Sequence, residues 1–174
     1  MRKLHIGGVL KAAGWEILNI KSEPAVDHVG SADDLSRFAD DVFSVVYASH
    51  VIEHLDYAYI LPKALAEWRR VLAPGGTLYV SAPDMEALAK LFVDKQNLSI
   101  HERFYVMAML FGGHQDEHDY HMVGLDQDIL AKYLYDAGFV KVRRVRRFGL
   151  FPDSSELQYK GVPISVNLIA EKPV

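Results

Sequence analysis

The segment FGGHQDEHDYHMVG, residues 111–124, sets His114, His118 and His121 among Asp116, Glu117 and Asp119. These are ligand types for zinc, iron or manganese, but their spacing is permissive and not diagnostic. A solvated lid is the plainer reading, because long loops without periodicity are commonly functional covers. A lid carrying His114, Tyr120 and His121 can close over a substrate and supply a base. Tyr120 and His121 are therefore candidate catalytic residues, and no metal is assigned. His50 is the third candidate. It ends the run FSVVYASH at a strand terminus, where a base can face a bound ligand, although a polar wall is the commoner use of such a histidine. Glu53 and His54, just beyond, are expected to cap or brace the next helix.

Lys141, Arg143, Arg144, Arg146 and Arg147 crowd one short stretch. A solvated strand face explains them, with the break in alternation at Arg143 and Arg144 marking a bulge. The alternative is an anionic partner, such as a phosphorylated or nucleotide-linked sugar or a nucleic-acid backbone. Met107, Met109 and Met122 read as adaptable packing or pocket wall.

The bulk composition narrows the classes. A chain of 174 residues, half of them hydrophobic, has the size of one domain with a real core. A formal net charge of -4 provides no overall basic field, so nucleic acid is not the expected partner. The absence of cysteine excludes disulfides, zinc-thiolate clusters and thiol nucleophiles, and suits a reducing cytoplasm. At the start, MRKLHIGGVLKAAGW breaks its apolar run too often for a signal peptide. No window approaches the roughly 18 apolar residues of a membrane span. A soluble, cytoplasmic protein is expected.

Positioning these residues falls to an alternating series of elements. LHI and WEILNI read as strands, AVDHVG as a short extended piece, and Leu35 to Phe38 as one helical turn. Val45 to Ala48 is a continuous apolar run, as in a strand buried on both faces. Residues 57–72 place Ile60, Leu61, Leu65, Trp68 and Leu72 at helical spacing, and APGG stops the helix. TLYVSAPD is the next strand, which completes a parallel strand–helix–strand unit. Helices follow at Met85 to Val93 and from about Ile100 to Leu110, forming with the lid a cap insertion at about 85–125. DQDILAKYLYDAGF is a helix capped by Asp126 and ended at Gly138, and FVKVRRVRRFGLF and PISVNLIAEK close the chain as strands.

FSVVYASHVIEHL, the helix ending EWRRVLAPGGTLYVSAPD, DILAKYLYDAGF and the two closing strands together resemble the class I S-adenosylmethionine-dependent methyltransferases. The likeness is to the small Rossmann-like members of methyltransferase type 11, and it runs from about Trp15 to Lys172. It implies one domain over 1–174, with a mostly parallel α/β sheet of order 3-2-1-4-5-7-6 whose last strand is antiparallel. It further implies S-adenosylmethionine as cofactor, bound at the carboxyl ends of the strands, and methyl transfer to a small-molecule or saccharide acceptor. By the same resemblance Gly7, Gly8, Asn19, Asp33, Ala48 and Ser49 are the cofactor-binding positions. Three of these, Gly7, Gly8 and Asn19, depart from the family pattern. Gly7 and Gly8 are adjacent and the next glycine is Gly14, so GxGxG is not met, and Asn19 stands where an acid usually grips the ribose. These departures support the alternative of a non-catalytic binding or scaffold protein that has lost the cofactor. A nicotinamide oxidoreductase is weaker, since it lacks both GxGxxG and the ribose acid, and a metal-dependent hydrolase would use the histidine loop.

Only GGVLKAAG joins the first two strands. Eight helical residues rise about 12 Å, too little to return along a five-residue strand of roughly 16 Å and still make two turns. The crossover is therefore expected to be irregular, leaving one sheet face without its helix. A second subunit, in a homodimer, or a rearranged segment such as the apolar helix near Met107 is expected to cover that face.

Overall fold

The computed structural model describes residues 2–174 as an α/β unit built on one seven-stranded sheet. Strands β1 (Arg2–Ile6), β2 (Trp15–Asn19), β3 (His28–Val29), β4 (Phe43–Ser49) and β5 (Leu72–Pro83) are joined by helix α1 (Ile60–Val71) before β5. Helices α2 (Met85–Val93), α3 (Ile100–Phe111) and α4 (Gln127–Asp136) follow, then β6 (Val140–Val145), a small hairpin of β7 (Gln158–Tyr159) and β8 (Val162–Pro163), and β9 (Ser165–Glu171). The sheet order is β3-β2-β1-β4-β5-β9-β6, with β9 antiparallel to both its neighbours and the remaining pairings parallel. This is the Rossmann-like order expected from the sequence. No helix among the described residues is long and apolar enough to cross a membrane.

Side-chain alternation divides the sheet into two faces. Leu4 and Ile6 of β1, Val46 and Ala48 of β4, and Leu78 and Val80 of β5 pack in one core with Leu61, Leu65 and Trp68 of α1 and Leu130 and Leu134 of α4. The intervening residues His5, Tyr47 and Tyr79 point the other way, toward Phe148 and Phe151 of the β6–β9 connection. Trp15 joins this layer with its ring 5.1 Å from that of Phe151, and the Tyr47 hydroxyl donates to Asp153 at 2.6 Å. Residues 7–14 form no helix, as the length of GGVLKAAG requires. The face thus exposed is covered neither by the Met107 helix nor of necessity by a second subunit, but by residues 148–155 of the same chain. Helices α2 and α3 instead close a separate small cluster around Leu88, Leu98, Val106 and Ile164.

Several local expectations shift. APGG does end the helix, but Ala73 to Gly76 lie within β5 as a register break, with Phe43 paired to Leu72 and Val45 to Thr77. The bulge expected at Arg143 and Arg144 falls earlier, between Val140 and Arg143, where Lys141 takes a φ of 52°. FVKVRRVRRFGLF leaves the sheet after Val145, which frees Phe148 and Phe151 to cover the open face. Leu35 to Phe38 form a turn and not a helix.

Candidate active site

The carboxyl ends of β1, β2 and β4 open into one cavity of about 590 Å³, roofed by residues 115–120. Small-ligand sites usually span about 300–1,000 Å³. Its place follows from topology: β2 and β4 lie on opposite sides of β1, so the connections leave in opposite directions and a crevice opens between them.

At the β1 and β2 ends, polar groups are engaged within the chain. Gly7 has a φ of +76°, and a Cβ there would stand 2.4 Å from Cγ2 of Val51. A Cβ on Gly8 would meet the His5 ring at 2.6 Å. Both glycines therefore have an internal packing reason, independent of any ligand. The buried Asn19 donates from Nδ2 to the Gly8 carbonyl at 3.0 Å and accepts the Lys21 N–H on Oδ1 at 2.9 Å. Its amide pins the crossover to β2. Asp33 accepts from Lys63 at 2.9 Å and from the Ser31 hydroxyl, and it is Ser31, not Asp33, that lines the cavity.

The β4 end is different. Ala48 is fully buried, and the Ser49 hydroxyl is buried without a partner; neither lines the cavity. His50 does line it, in the left-handed region at a φ of 54°, with its N–H held by the Ser81 carbonyl at 2.9 Å. The Ser165 hydroxyl gives its one proton to the Ser154 carbonyl at 2.8 Å, so it accepts from His50 Nε2 at 2.9 Å. That leaves Nδ1 facing Oε1 of Glu53 at 3.3 Å. Glu53 and His54 do not cap α1, whose N-cap is Tyr59; they form a separate 3-10 turn, Ile52–His54. Glu53 is 1% exposed, and neither carboxylate oxygen makes a hydrogen bond of good geometry. Burial pushes its pKa up, but His50 beside it, and then His54, outweigh burial and hold the carboxyl below its ordinary value.

The lid brings two more rings to this corner. His54 lines the cavity, and its Nδ1 donates to the Tyr120 carbonyl at 3.1 Å. His121 lies behind it with ring centroids 4.9 Å apart, and its Nδ1 donates to the Leu110 carbonyl at 3.2 Å. Burial lowers the His121 pKa, against an opposing pull from Glu53, which favours the neutral ring. Tyr120 lines the cavity and stacks on His114 at 4.1 Å. Lys21 at the end of β2 bridges Asp116 of the lid at 2.5 Å. The structure thus brings the candidates His50, Tyr120 and His121 to one corner together with Glu53 and His54, which the sequence assigned to bracing the next helix. The HVIEH spacing was their only local signal.

The basic stretch is partly structural. Arg144 pairs at 2.6 Å with the buried Asp84, which caps α2, and Lys141 pairs with Glu171 at 2.6 Å. Arg146 and Arg147 line a second, smaller cleft of about 330 Å³.

Among curated proteins, none matches this chain. The family model for the methyltransferase domain matches residues 11–80. Among solved structures, a CurJ carbon methyltransferase matches with a TM-score of 0.59 at 16% identity, over 99% of this chain and 48% of that one. This chain is thus about half as long as that relative. An S-adenosylmethionine-dependent methyltransferase from Methanosarcina mazei matches with a TM-score of 0.60 at 17% identity, over 99% of this chain and 92% of that one. One from Archaeoglobus fulgidus gives 0.59 at 16% identity, over 98% and 86%. At these identities the structures bear on fold alone, and fold does not fix chemistry. The match over residues 11–80, the sheet order and the crevice at its switch point together make this chain similar to the S-adenosylmethionine-dependent methyltransferases in fold.

Proposed function

We propose that this protein binds S-adenosylmethionine in the cavity at the β1, β2 and β4 ends and methylates a small-molecule or saccharide acceptor. The cavity carries this reading: it lies where the fold places a ligand, and its volume suits one. Its chemistry fits the cofactor in part. Val9, Leu18, Ile20 and Leu55 offer apolar wall, and the Ser31 hydroxyl lies near the β3 end. The usual β2 acid is replaced by Asn19, whose amide is already engaged; of the lid acids lining the same cavity, Asp116 is held by Lys21 and Asp119 by the Gln115 N–H, which leaves Glu117 as the carboxylate available to a ribose. Gly7, Gly8, Ala48 and Ser49 shape the backbone beneath.

When bound, S-adenosylmethionine supplies a methyl group already activated on a sulfonium. The chain's own work is then to orient the acceptor, exclude water and take up a proton. The His50–Glu53 pair takes that role, since His50, donating from Nε2 to Ser165, presents Nδ1 to Glu53 with room for one proton between them. Tyr120 and His121, on the lid, close the acceptor side.

Calorimetric titration with S-adenosylmethionine and S-adenosylhomocysteine tests the reading. Micromolar binding, followed by transfer of labelled methyl into pooled small-molecule and saccharide acceptors, is expected. The absence of both heat and thermal stabilisation at millimolar ligand would overturn it.

A further inference from the structure

Glu53 poses a problem that methyl transfer does not solve. A carboxylate taken out of water requires a compensating partner, yet both its oxygens lack a hydrogen bond, and Nδ1 of His50 stands 3.3 Å from one of them. One atom of Glu53, one of His54 and one of His121 all lie within 4.8 Å of one another. The two imidazoles are held in the same way. A carbonyl can only accept, so the bonds to Tyr120 and Leu110 fix the proton on Nδ1 in both rings and leave Nε2 with a free lone pair. Main-chain carbonyls orient metal-binding histidines in this manner.

We propose that Glu53, His54 and His121 form a binding site for a divalent transition-metal cation beside the cavity. Two imidazole nitrogens and one carboxylate oxygen suit zinc, iron(II), cobalt(II) or manganese(II), and leave coordination positions open toward the cavity that His54 lines. His50 then holds the other Glu53 oxygen, orienting the carboxylate from outside the coordination sphere. The lid histidines are set up differently. His114 is stacked on Tyr120 with its Nε2 turned to the Phe111 carbonyl, and His118 sits half-exposed beside Glu117. Ligand atoms about 2.1 Å from a tetrahedral metal stand roughly 3.4 Å apart, so binding draws His121, and the lid with it, toward the β4 corner.

The site requires no methyl donor, so its test is separate from that of the transferase reading. The purified full chain, freed of metal by chelation, is titrated with cobalt(II) while visible absorption is recorded. One equivalent with ligand-field bands is expected, together with slower proteolysis of residues 112–122. Glu53→Gln, His54→Ala and His121→Ala should each weaken binding at least about 100-fold, while a His114→Ala/His118→Ala double variant should leave it unchanged. Far-UV circular dichroism confirms that each variant folds. No saturable binding by the unsubstituted protein overturns the proposal. So does binding that survives loss of His54 and His121, or that disappears with His114 and His118.

Discussion

Two walls of one cavity solve the problem of buried polarity in opposite ways. At the β1 and β2 ends, Asn19 has both ends of its amide engaged, and each glycine is packed against a neighbouring side chain. At the β4 end, the Ser49 hydroxyl and both Glu53 oxygens are buried with no hydrogen-bond partner, and His50 takes a backbone conformation that favours glycine. Satisfied groups hold shape. Open groups at a strained corner are the ones able to act on something else. The first wall is thus built as scaffold, while the second holds the polar groups left open to a ligand.

The sharpest way to break this contrast is to remove one residue from each wall. Glu53→Met should lower labelled-methyl transfer by about 10²–10⁴-fold, the usual reach of an acid–base group. Its thermal midpoint should change little, because the pull of His50 on the carboxylate and the cost of burying it are lost together and methionine fills a similar volume. Asn19→Ala should do the reverse, costing about 1–3 kcal/mol in denaturant unfolding by leaving the Gly8 carbonyl and the Lys21 N–H open. A Glu53→Met protein that melts well below wild type would make Glu53 a brace like Asn19.

The glycine wall has a steric form of the same test. Gly7→Ala meets both a positive φ and the Val51 methyl, and should cost about 2–5 kcal/mol. With Val51→Ala in place the nearest side-chain atom lies 3.8 Å away, leaving only the backbone term of about 1–2 kcal/mol. Chemical denaturation of the single and double variants reads this coupling. Additive costs would mean that the crossover moves freely and does not act as scaffold.

His5 gives this wall a pH signature. Burial lowers its pKa from 6.5 to about 4, with Asp153 opposing, and Nδ1 has no partner. The folded state keeps the ring neutral while the unfolded chain protonates below 6.5. Stability is thus full above pH 6.5 and falls as the pH drops toward 4, by about 3 kcal/mol. The unfolding free energies of wild type and His5→Leu should accordingly converge or cross by that amount between pH 7 and 4. Parallel curves would show that the ring reaches water in the native state.

How far the sequence revealed these walls depends on distance along the chain. The apolar run at Val45 to Ala48 and the periodic residues of α1 are local signals, and they became the central strand and the helix that covers it. GGVLKAAG declared its own shortness by simple length. What covers the exposed face was not legible, because Phe148 and Phe151 look like strand residues until Lys141 bulges and β6 stops at Val145. Nor was the corner legible as a unit. Glu53 and His54 meet His121 only after α2, α3 and the lid have folded back, and nothing in the HVIEH spacing specifies a partner so remote in sequence.

The smallest effect falls on the one ion pair that joins the two walls through the lid. Lys21 leaves the scaffold wall and meets Asp116 in the roof, with both side chains substantially exposed. Exposed pairs contribute little to global stability and are screened by salt, so Lys21→Ala should leave the melting temperature unchanged. Local opening is a different quantity, since a lid with few buried contacts opens at low free energy. Lys21→Ala at low salt should therefore be cut faster by protease within residues 112–120, and wild type at high salt should approach the same rate. Equal cleavage of the two proteins at low salt would show that the lid is held from the β4 corner alone, by the His54–Tyr120 and His121–Leu110 bonds. The roof would then belong wholly to the reactive wall.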